Sequence, residues 1–599
     1  MKHNKITLII SFVLSLLLIT IGLSFAYFTS NITGTEDSTT IQASGGVMNI
    51  NYDGGENINT PNIFPSNEAF ATKNFTLTGK STTNDNMNYH IILVIEENTF
   101  TNNALEYKLT STNTDGNGTV APSIIQSGIA NGDQEIYLGD GIFESPANNK
   151  EHSYKLELYF PDTIEDQNDD MNKTFKAYIN IREGNYNFPG YNPEKGVNHP
   201  VLFTGMTPVK WNENNEETET TEDDPSWYDY DNKIWANAKS ADGSYWVWIP
   251  RYAYKITSGY HSSETGTIDV KFLKSTTNLT EENNLVETTG YLPGTKDTSM
   301  HHFLHPSFQF NGEELGFWMA KYESSAHENL DSGIENGTCS ELDNVSTKSP
   351  KIVPNVRSWR CISISNAFKA SLAMKDNPIY GWNSSEVDTH MLTNNEWGAV
   401  AYLSKSQYGA PSEVWNNSYN GFQTGCSGPS VSAHSQTTCT EYHTENGQYA
   451  STTHNIYGVY DMSGGAWDRV MGNYNNMIGS SGFGAEELSR IHPKYITKYY
   501  TAPEDLNNGY GVNYDVTVFG DGVHETSNNA YRYSPTAPVG TMSGAWHSGH
   551  SYLPYVPSSP WFYRGGSWEV SAHAGVFSFI NSTGYASWYS SFRVSLFPL

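Results

Sequence analysis

Two short segments join adjacent glycines to a tryptophan, and they constrain the fold more than any other part of the chain. They are NIYGVYDMSGGAWD (455–468) and RGGSW (564–568). Glycine permits tight backbone turns that a β-carbon would obstruct, and tryptophan offers a large apolar area that holds a turn against a core. The pattern predicts irregular, turn-rich structure on buried aromatic side chains. The predicted structural residues of these segments are Gly458, Asp461, Gly464, Gly465, Trp467, Arg564, Gly565, Gly566 and Trp568.

The length of 599 residues predicts two or three domains. Aromatic residues are frequent, at 13%, and charged residues scarce, at 16%, which favours β-rich extracellular folds. The net charge of −30 argues against a nucleic-acid partner, because a polyanion would be repelled.

The N-terminal segment predicts export. Lys2 and Lys5 precede an uncharged apolar run at 6–26, which is long enough to span a bilayer. Ser24 and Ala26 have the spacing that a signal peptidase reads, so cleavage before residue 27 is an alternative. Residues 1–26 are therefore predicted to be a signal peptide or a membrane anchor, with the remainder at the cell surface.

The four cysteines form two close pairs, Cys339 with Cys361 and Cys426 with Cys439. In an exported chain this even count favours two local disulfides. Free buried thiols and a metal site are the alternatives.

Residues 27–184 show a period of two. SYKLELYF places Tyr154, Leu156, Leu158 and Phe160 on one face, and TFKAYINI behaves in the same way. Clusters of Asn, Gly, Asp and Thr separate such runs. The pattern predicts an antiparallel β-sandwich.

This first region also resembles a family. The order AYFTS, IQASGGVMNINYD and NFTLTGKSTTNDNMNYHIILVI is similar to the exported β-sandwich proteins that include camelysin and biofilm fibre subunits of Gram-positive bacteria. The resemblance implies a surface location and, in some members, assembly into fibres. No catalytic residue of that family can be carried over.

Residues 185–225 are predicted to be a linker and the start of the following domain, because prolines interrupt the periodicity there. Residues 226–599 are predicted to form one large domain of short strands, two helical stretches and long loops. MLTNNEWGAVAYLSKS begins the second helix with a capping box made by Thr393 and Glu396. The loops at 408–455 and 473–561 are of a length that is usually functional.

Four phrases of the large domain occur together: LTNNEWGAVAYLS, NIYGVYDMSGGAWD, RGGSW and SFRVSL. Their order resembles formylglycine-generating enzymes, the sulfatase-modifying factor superfamily. The resemblance implies an α+β fold of the C-type-lectin-like kind. By analogy with the family, calcium could stabilise this fold, but the sequence does not identify ligands for it. For Arg564 and Arg593 we expect structural roles, with guanidinium groups bound to loop carbonyls and to carboxylates such as Asp461.

Catalysis is not expected. The oxidases of that superfamily use a cysteine pair near the C-terminus, and this chain has no cysteine after Cys439. The histidines of MHHFLHP and WHSGHSY are predicted to be loop residues rather than metal ligands, because Pro306 and Gly549 disfavour a helix. A formylglycine-generating type of oxidase remains the first alternative function, and a fibre or matrix subunit the second.

Residues 569–591 predict binding instead. They contain six serines, two tyrosines and Trp588, with one carboxylate and no Lys or Arg. This composition is typical of antibody contact loops, where aromatic side chains give area and small polar ones adapt their hydrogen bonds.

The same segment, RGGSW through AGVF to FRVSL, resembles the variable proteins of diversity-generating retroelements. In that family, Asn codons mutated at adenines give Val, His, Ile, Ser, Tyr or Asn. Glu569 and Trp588 do not fit an Asn codon, and the Gly-Val-Phe phrase would be scaffold. The predicted ligand-binding residues are Glu569, Val570, His573, Ser578, Ile580, Asn581, Ser582, Tyr585, Ser587, Trp588, Tyr589 and Ser590.

Together these patterns predict a mixed fold, with an N-terminal β-sandwich and a C-terminal lectin-like head. The predicted function is binding of a protein or a carbohydrate through the C-terminal face, tethered or secreted through the N-terminal segment, with no cofactor.

Overall fold

A computed structural model describes residues 39–599, except for 43–47, 54–57, 61–62, 82–85, 102–103, 112, 114–125, 130, 145–149, 163–166, 171, 288–298, 300, 311, 328–338, 340–347, 501–517, 529–543 and 555–556. The chain divides into two compact units, Met1–Asn187 and Phe188–Leu599. The fold is mixed and β-rich, as the sequence predicts.

The predicted signal or anchor segment, 1–26, lies outside the described residues. Within the described part of the chain, no helix has both the length and the apolar character needed to cross a bilayer.

The first unit contains two antiparallel sheets around one apolar core. Their strand orders are β1-β2-β4-β9-β6-β7 and β3-β10-β5-β8. The strands are β1 (Thr39–Gln42), β2 (Met48–Asp53), β3 (Ile58–Thr60), β4 (Ser66–Ser81), β5 (Met87–Asn98), β6 (Leu105–Ser111), β7 (Gln126–Ile129), β8 (Gln134–Phe143), β9 (Lys150–Phe160) and β10 (Phe175–Glu183).

The predicted alternation is confirmed in β9 and β10. In β9 every second residue from His152 to Phe160 is buried, and in β10 Phe175, Ala177, Ile179 and Ile181 are buried. Side chains of a strand alternate between its two faces, so parity assigns these residues to the core, although Asn180 of β10 is buried on the opposite parity.

The second unit begins with the segment predicted as a linker. Residues 188–225 include four strands, and the buried Asn198 holds the turn in place: its side-chain amide donates to the carbonyls of Ser275 at 2.9 Å and Leu315 at 3.0 Å. The segment therefore combines short paired strands with hydrogen bonds from a buried side chain. The strands of this part are β11 (Tyr191–Asn192), β12 (Val197–Asn198), β13 (Thr207–Trp211) and β14 (Glu217–Glu219).

The rest of the second unit contains many short elements. The longest sheet has the order β14-β13-β15-β16-β20-β31-β23, and a second sheet has the order β27-β26-β28-β29 with β30 paired to β26. The strands are β15 (Asn237–Lys239), β16 (Tyr245–Pro250), β17 (Tyr252–Ser258), β18 (Thr267–Phe272), β19 (Phe303–Leu304), β20 (Gly316–Ala320), β21 (Ser325–Ala326), β22 (Pro350–Lys351), β23 (Val387–Met391), β24 (Cys426–Ser427), β25 (Thr440–Glu441), β26 (Trp467–Tyr474), β27 (Thr497–Tyr499), β28 (Trp561–Gly565), β29 (Gly575–Ser582), β30 (Ser590–Phe592) and β31 (Val594–Pro598).

In the described part of the second unit, three α-helices accompany these sheets, α1 (Ile364–Ala373), α2 (Asn394–Lys405) and α3 (Ala485–Ser489). The predicted capping box of α2 is confirmed: the amide of Glu396 donates to the Thr393 hydroxyl at 3.3 Å, and the amide of Thr393 donates to the Glu396 carboxylate at 2.9 Å. These two bonds satisfy amides that a helix start leaves unpaired.

Candidate ligand-binding face

The predicted variable segment lies on the sheet of β26, β28 and β29. β28 pairs antiparallel with both neighbours, and β30 runs parallel to β26. Between β28 and β29 the chain turns at Gly565 and Gly566, both with positive φ, 81° and 87°. A β-carbon on Gly566 would lie 2.6 Å from the Cα of Ala574, so the turn requires glycine.

Arg593, two residues after the predicted variable segment, is hydrogen-bonded to three other parts of the unit. Its Nε donates to the Asp468 carboxylate at 2.9 Å, and its Nη2 and Nη1 donate to the carbonyls of Tyr460 at 2.6 Å and Ala320 at 3.3 Å. The prediction that Arg593 forms a hydrogen bond with Asp461 is wrong. The chain reverses with a φ of 60° at Asp461, and its carboxylate accepts instead from loop groups.

Arg564 has the expected kind of contacts. Its Nη1 donates to the Asn394 side chain at 2.9 Å and to the Asp521 carbonyl at 2.8 Å, and its Nη2 donates to the Gly522 carbonyl at 3.2 Å. The start of α2 and the loop at 521–522 are therefore fixed to β28 through one buried side chain.

Three buried carboxylates lie around the single charge of Arg593. They belong to Glu323, Asp461 and Asp468. Burial raises the pKa of each, that of Asp468 to about 6, although Arg593 acts in the opposite direction. The cluster accepts hydrogen bonds from main-chain amides, including Gly425 to Asp461 at 2.9 Å and Ala466 to Glu323 at 2.8 Å. It thereby fixes the loops beneath the sheet.

The loop 583–589 is held by its own carbonyl groups. Six of its seven carbonyls accept a hydrogen bond from a donor outside the loop; the exception is that of Ala586. The donors are the amide of Ser480 to Thr583 at 2.6 Å, the amide of Ile364 to Gly584 at 3.2 Å, the guanidinium of Arg469 to Tyr585, the amide of Cys361 to Ser587 at 2.8 Å, the guanidinium of Arg360 to Trp588 at 2.5 Å and the amide of Trp467 to Tyr589 at 2.9 Å.

The twelve predicted binding residues separate into three groups by exposure. Two are exposed, Glu569 and Tyr585, the latter at 44%. The six half-buried residues are Val570, His573, Ile580, Asn581, Trp588 and Tyr589. The four buried residues are Ser578, Ser582, Ser587 and Ser590.

The four buried serines correct the sequence prediction, because their side chains do not face solvent. The hydroxyls of Ser587 and Ser590 bond each other at 2.6 Å, and Ser587 also lies 3.4 Å from the Tyr563 hydroxyl. Ser582 accepts from the amide of Gly584 at 3.1 Å. Ser578 is covered by the segment at 549–552, which pairs with β29 through Phe579. At Ser582, Ser587 and Ser590 a local partner for the hydroxyl allows so small a side chain to be buried, whereas the Ser578 hydroxyl has no hydrogen-bond partner; composition reveals neither case.

The aromatic residues of the loop are supported from the scaffold. Trp588 packs edge-on against Phe422 with centroids 5.7 Å apart, and Tyr589 packs edge-on against Tyr563 at 6.0 Å. The guanidinium of Arg360 lies 3.8 Å from the centroid of Phe422. These contacts fix the two rings in half-exposed positions, as binding anchors require.

Sequence reasoning missed Arg360 and Arg469 as parts of this face. Both donate to loop carbonyls, and neither lies within one of the four phrases of the large domain. The scarcity of cations, which drew attention to Arg564 and Arg593, applies equally to them and was the available signal.

Both predicted disulfides are confirmed, Cys339–Cys361 and Cys426–Cys439. Cys361 is also a donor to the loop, so the first disulfide stabilises a residue that positions it. Because all four cysteines of the chain are paired, no free thiol is present.

The histidines of MHHFLHP and WHSGHSY do not form a common cluster. His305 is buried and bonds the Gly520 carbonyl at 2.7 Å, whereas His302 bonds Asp269 at 2.7 Å. Burial and, to a smaller extent, the nearby His573 lower the pKa of His550 to about 4. Among the residues that the structure describes, no group of three or more His, Cys, Asp or Glu side chains could hold a metal ion.

Comparisons with known proteins give no family for this chain. No family model matches, and no curated protein matches. A crystal structure of a ruminal GH26 endo-beta-1,4-mannanase is similar over 27% of this chain and 30% of that chain, with 10% sequence identity and a TM-score of 0.13. A likeness of this degree carries no argument about function.

Proposed function

We propose that this chain is an exported ligand-binding protein whose second unit presents the 569–591 segment as a variable recognition face. The proposal includes a lectin-like architecture for that unit and a relationship to the variable proteins of diversity-generating retroelements. The ligand is a protein or a carbohydrate outside the cell, and the N-terminal segment exports or tethers the chain.

The carbonyl contacts of the loop 583–589 carry this proposal. Every residue type except proline has the same main-chain groups, so a loop held by its carbonyls keeps its conformation when its side chains change. Exposed side chains such as Tyr585 contribute little to holding the loop and are available to a ligand.

The residue types on the face support the same conclusion. Aromatic side chains with few rotatable bonds bind with little entropy loss, and Tyr585, Trp588 and Tyr589 supply them side by side. The exposed Glu569 and the half-buried Asn581 add polar groups, and hydrogen bonds to such groups give selectivity. The pairing of all four cysteines in disulfides gives no support to the alternative of a thiol-dependent oxidase.

The binding test compares the wild-type chain with a variant in which Tyr585, Trp588 and Tyr589 are replaced by alanine. Both are applied to an array of glycans and extracellular proteins. We expect the wild type to bind at least one array member and the variant to lose that binding while its circular dichroism is unchanged. Equal binding by both proteins, or no binding by either, would contradict the proposal.

The test of variability is the DNA that flanks the coding sequence. We expect a reverse-transcriptase gene and a near-copy of the stretch that encodes 569–591, with differences confined to adenines of the copy. Differences spread evenly over all bases, or the absence of a copy, would reduce the proposal to a binding domain of fixed sequence.

A further inference from the structure

Arg469 lies beneath the proposed recognition face and, among the described residues of the unit, is a buried arginine with a single hydrogen-bonded nitrogen. Its side chain is fully buried, and its Nη2 donates to the carbonyl of Tyr585. Its Nε and Nη1 have no hydrogen-bond partner, and these two atoms carry the majority of the five N–H donors of a guanidinium. Within the described part of the chain, it forms no ion pair.

Two other buried arginines of the unit differ from Arg469, whereas Arg564 also has no hydrogen-bond partner at its Nε. Arg251 and Arg593 have a hydrogen-bond partner at every guanidinium nitrogen, and each of them contacts a carboxylate. A buried guanidinium is costly unless it is paired and hydrogen-bonded. The fold thus satisfies this requirement at Arg251 and Arg593 but leaves it open at Arg469.

The side chains around Arg469 include an aromatic ring and several hydroxyl groups. Its guanidinium lies 5.2 Å from the ring centroid of Tyr563, whose hydroxyl is next to those of Ser587 and Ser590. Burial raises the pKa of the Tyr563 phenol, but the charge of Arg469 and the serine hydroxyls outweigh it and leave the pKa below its usual value. This direction shows how strongly the uncompensated charge favours a negative group beside it.

We propose that Arg469 is a fixed subsite for a carboxylate group of the ligand, with the hydroxyls around Tyr563 as additional donors. A single guanidinium carries one positive charge, so a monoanion neutralises it, whereas a dianion would leave a buried excess of negative charge. The planar guanidinium also matches the two oxygens of a carboxylate.

The subsite is reached by local opening of the loop 583–589, because the guanidinium itself is covered. Tyr585 is the most exposed side chain of that loop and its carbonyl caps Nη2, so a ligand that displaces Tyr585 uncovers the charge. This inference rests on the proposed ligand-binding function and adds to it: the scaffold supplies a constant charge, and the variable side chains supply selectivity.

The experiment uses the full-length chain and formate as the probe. Melting temperatures are measured in formate, in sulfate and in chloride at equal ionic strength. Because a ligand that binds only the folded state stabilises it, we expect formate to raise the Tm by on the order of 3 °C above the other two salts. The variant Arg469→Met should lose this difference and should melt at the same or a higher temperature in chloride.

Arg490→Met is the matched control, because it removes the same charge from an exposed side chain. It should keep the formate response. A direct measurement on the wild type avoids dependence on variant folding: the fluorine resonance of trifluoroacetate should broaden on adding protein and sharpen again when formate displaces it.

Equal Tm values for the wild type in formate, sulfate and chloride would overturn the proposal. So would an Arg469→Met variant that keeps the response, or the ultraviolet absorption of a phenolate at neutral pH, which would show that Tyr563 neutralises the charge. Loss of the formate response while the array ligand still binds refutes only the subsite, whereas a formate response without an array ligand refutes the proposed function.

Discussion

The two units of the molecule fix their side chains in different ways. In the first unit, ladders of antiparallel strands place the residues, and from His152 to Phe160 in β9 the parity of a residue decides whether it is buried. In the second unit, buried polar side chains reach main-chain groups far away in the sequence, as Lys321 does with the carbonyls of Ile456 at 2.6 Å and Gly458 at 3.0 Å. The difference teaches that removing one polar side chain should matter far more in the second unit.

The largest effect is expected from Arg593→Met. This change leaves the carboxylate of Asp468 buried without its partner, and we expect the second unit to lose about 3–5 kcal/mol of unfolding free energy. The matched change in the first unit is Arg182→Met, which breaks a partly exposed pair with Glu135 and should cost at most about 1 kcal/mol.

Tryptophan fluorescence during denaturation separates the two units, because all fifteen tryptophans lie in the second unit. Circular dichroism reports on both. Similar losses of unfolding free energy in Arg593→Met and Arg182→Met would contradict the difference between the two units.

Removal of the disulfide Cys339–Cys361 should have the next largest effect. Opening a loop with a sequence separation of 22 costs about 3 kcal/mol in the chain-entropy model. Because Cys361 donates to the Ser587 carbonyl, the double serine variant should also increase hydrogen exchange in the loop 583–589. Replacing both cysteines of Cys426–Cys439 is the control; it should lower stability without this local increase.

A pH dependence should follow from His390, which is buried in the second unit between Asp388 at 2.9 Å and Glu396 at 3.0 Å. Burial lowers its pKa, but the two carboxylates outweigh burial and raise it to about 9. Because this folded-state pKa lies above the unfolded value, the stabilisation is complete below about pH 6.5 and is lost as the pH rises through about 9.

We therefore expect the second unit to lose about 1–3 kcal/mol between pH 7 and pH 10, and His390→Gln to flatten this slope. The exposed His443 provides the control, since His443→Gln should leave the slope unchanged. An unchanged slope in His390→Gln would assign the dependence to other groups.

The smallest effects on stability are expected at exposed positions of the candidate face. Tyr585→Ser and Glu569→Ser should change the unfolding free energy by no more than about 0.5 kcal/mol, because neither side chain is buried. Ser590→Tyr, at a buried position that the sequence places in the same group, should cost about 1–3 kcal/mol through overpacking. Equal losses of unfolding free energy in the three variants would contradict the distinction between the exposed and the buried positions of the segment.

Much of the first unit could be predicted from the sequence because strand parity is a local property. Local chemistry also made the capping box of Thr393 and Glu396, the turn at Gly566 and the two disulfides predictable. Each depends on residues that are close in the chain or on a conformation that one residue type permits.

The candidate face was less predictable, because its arrangement depends on distant partners. Nothing local separates the exposed Tyr585 from the buried Ser587, or shows that Arg593 binds Asp468 and not Asp461. Arg469 was missed for the same reason, since its importance arises from partners that it lacks.

The carbonyl contacts of the loop 583–589 have a consequence for how binding can evolve. Substitutions at sites that share no side-chain partner have nearly additive effects on free energy. Where the loop conformation does not depend on its side chains, an improvement at the position of Tyr585 keeps its value when the position of Glu569 changes. Selection can then optimise such positions one at a time, so a small number of sampled variants suffices to find a good combination.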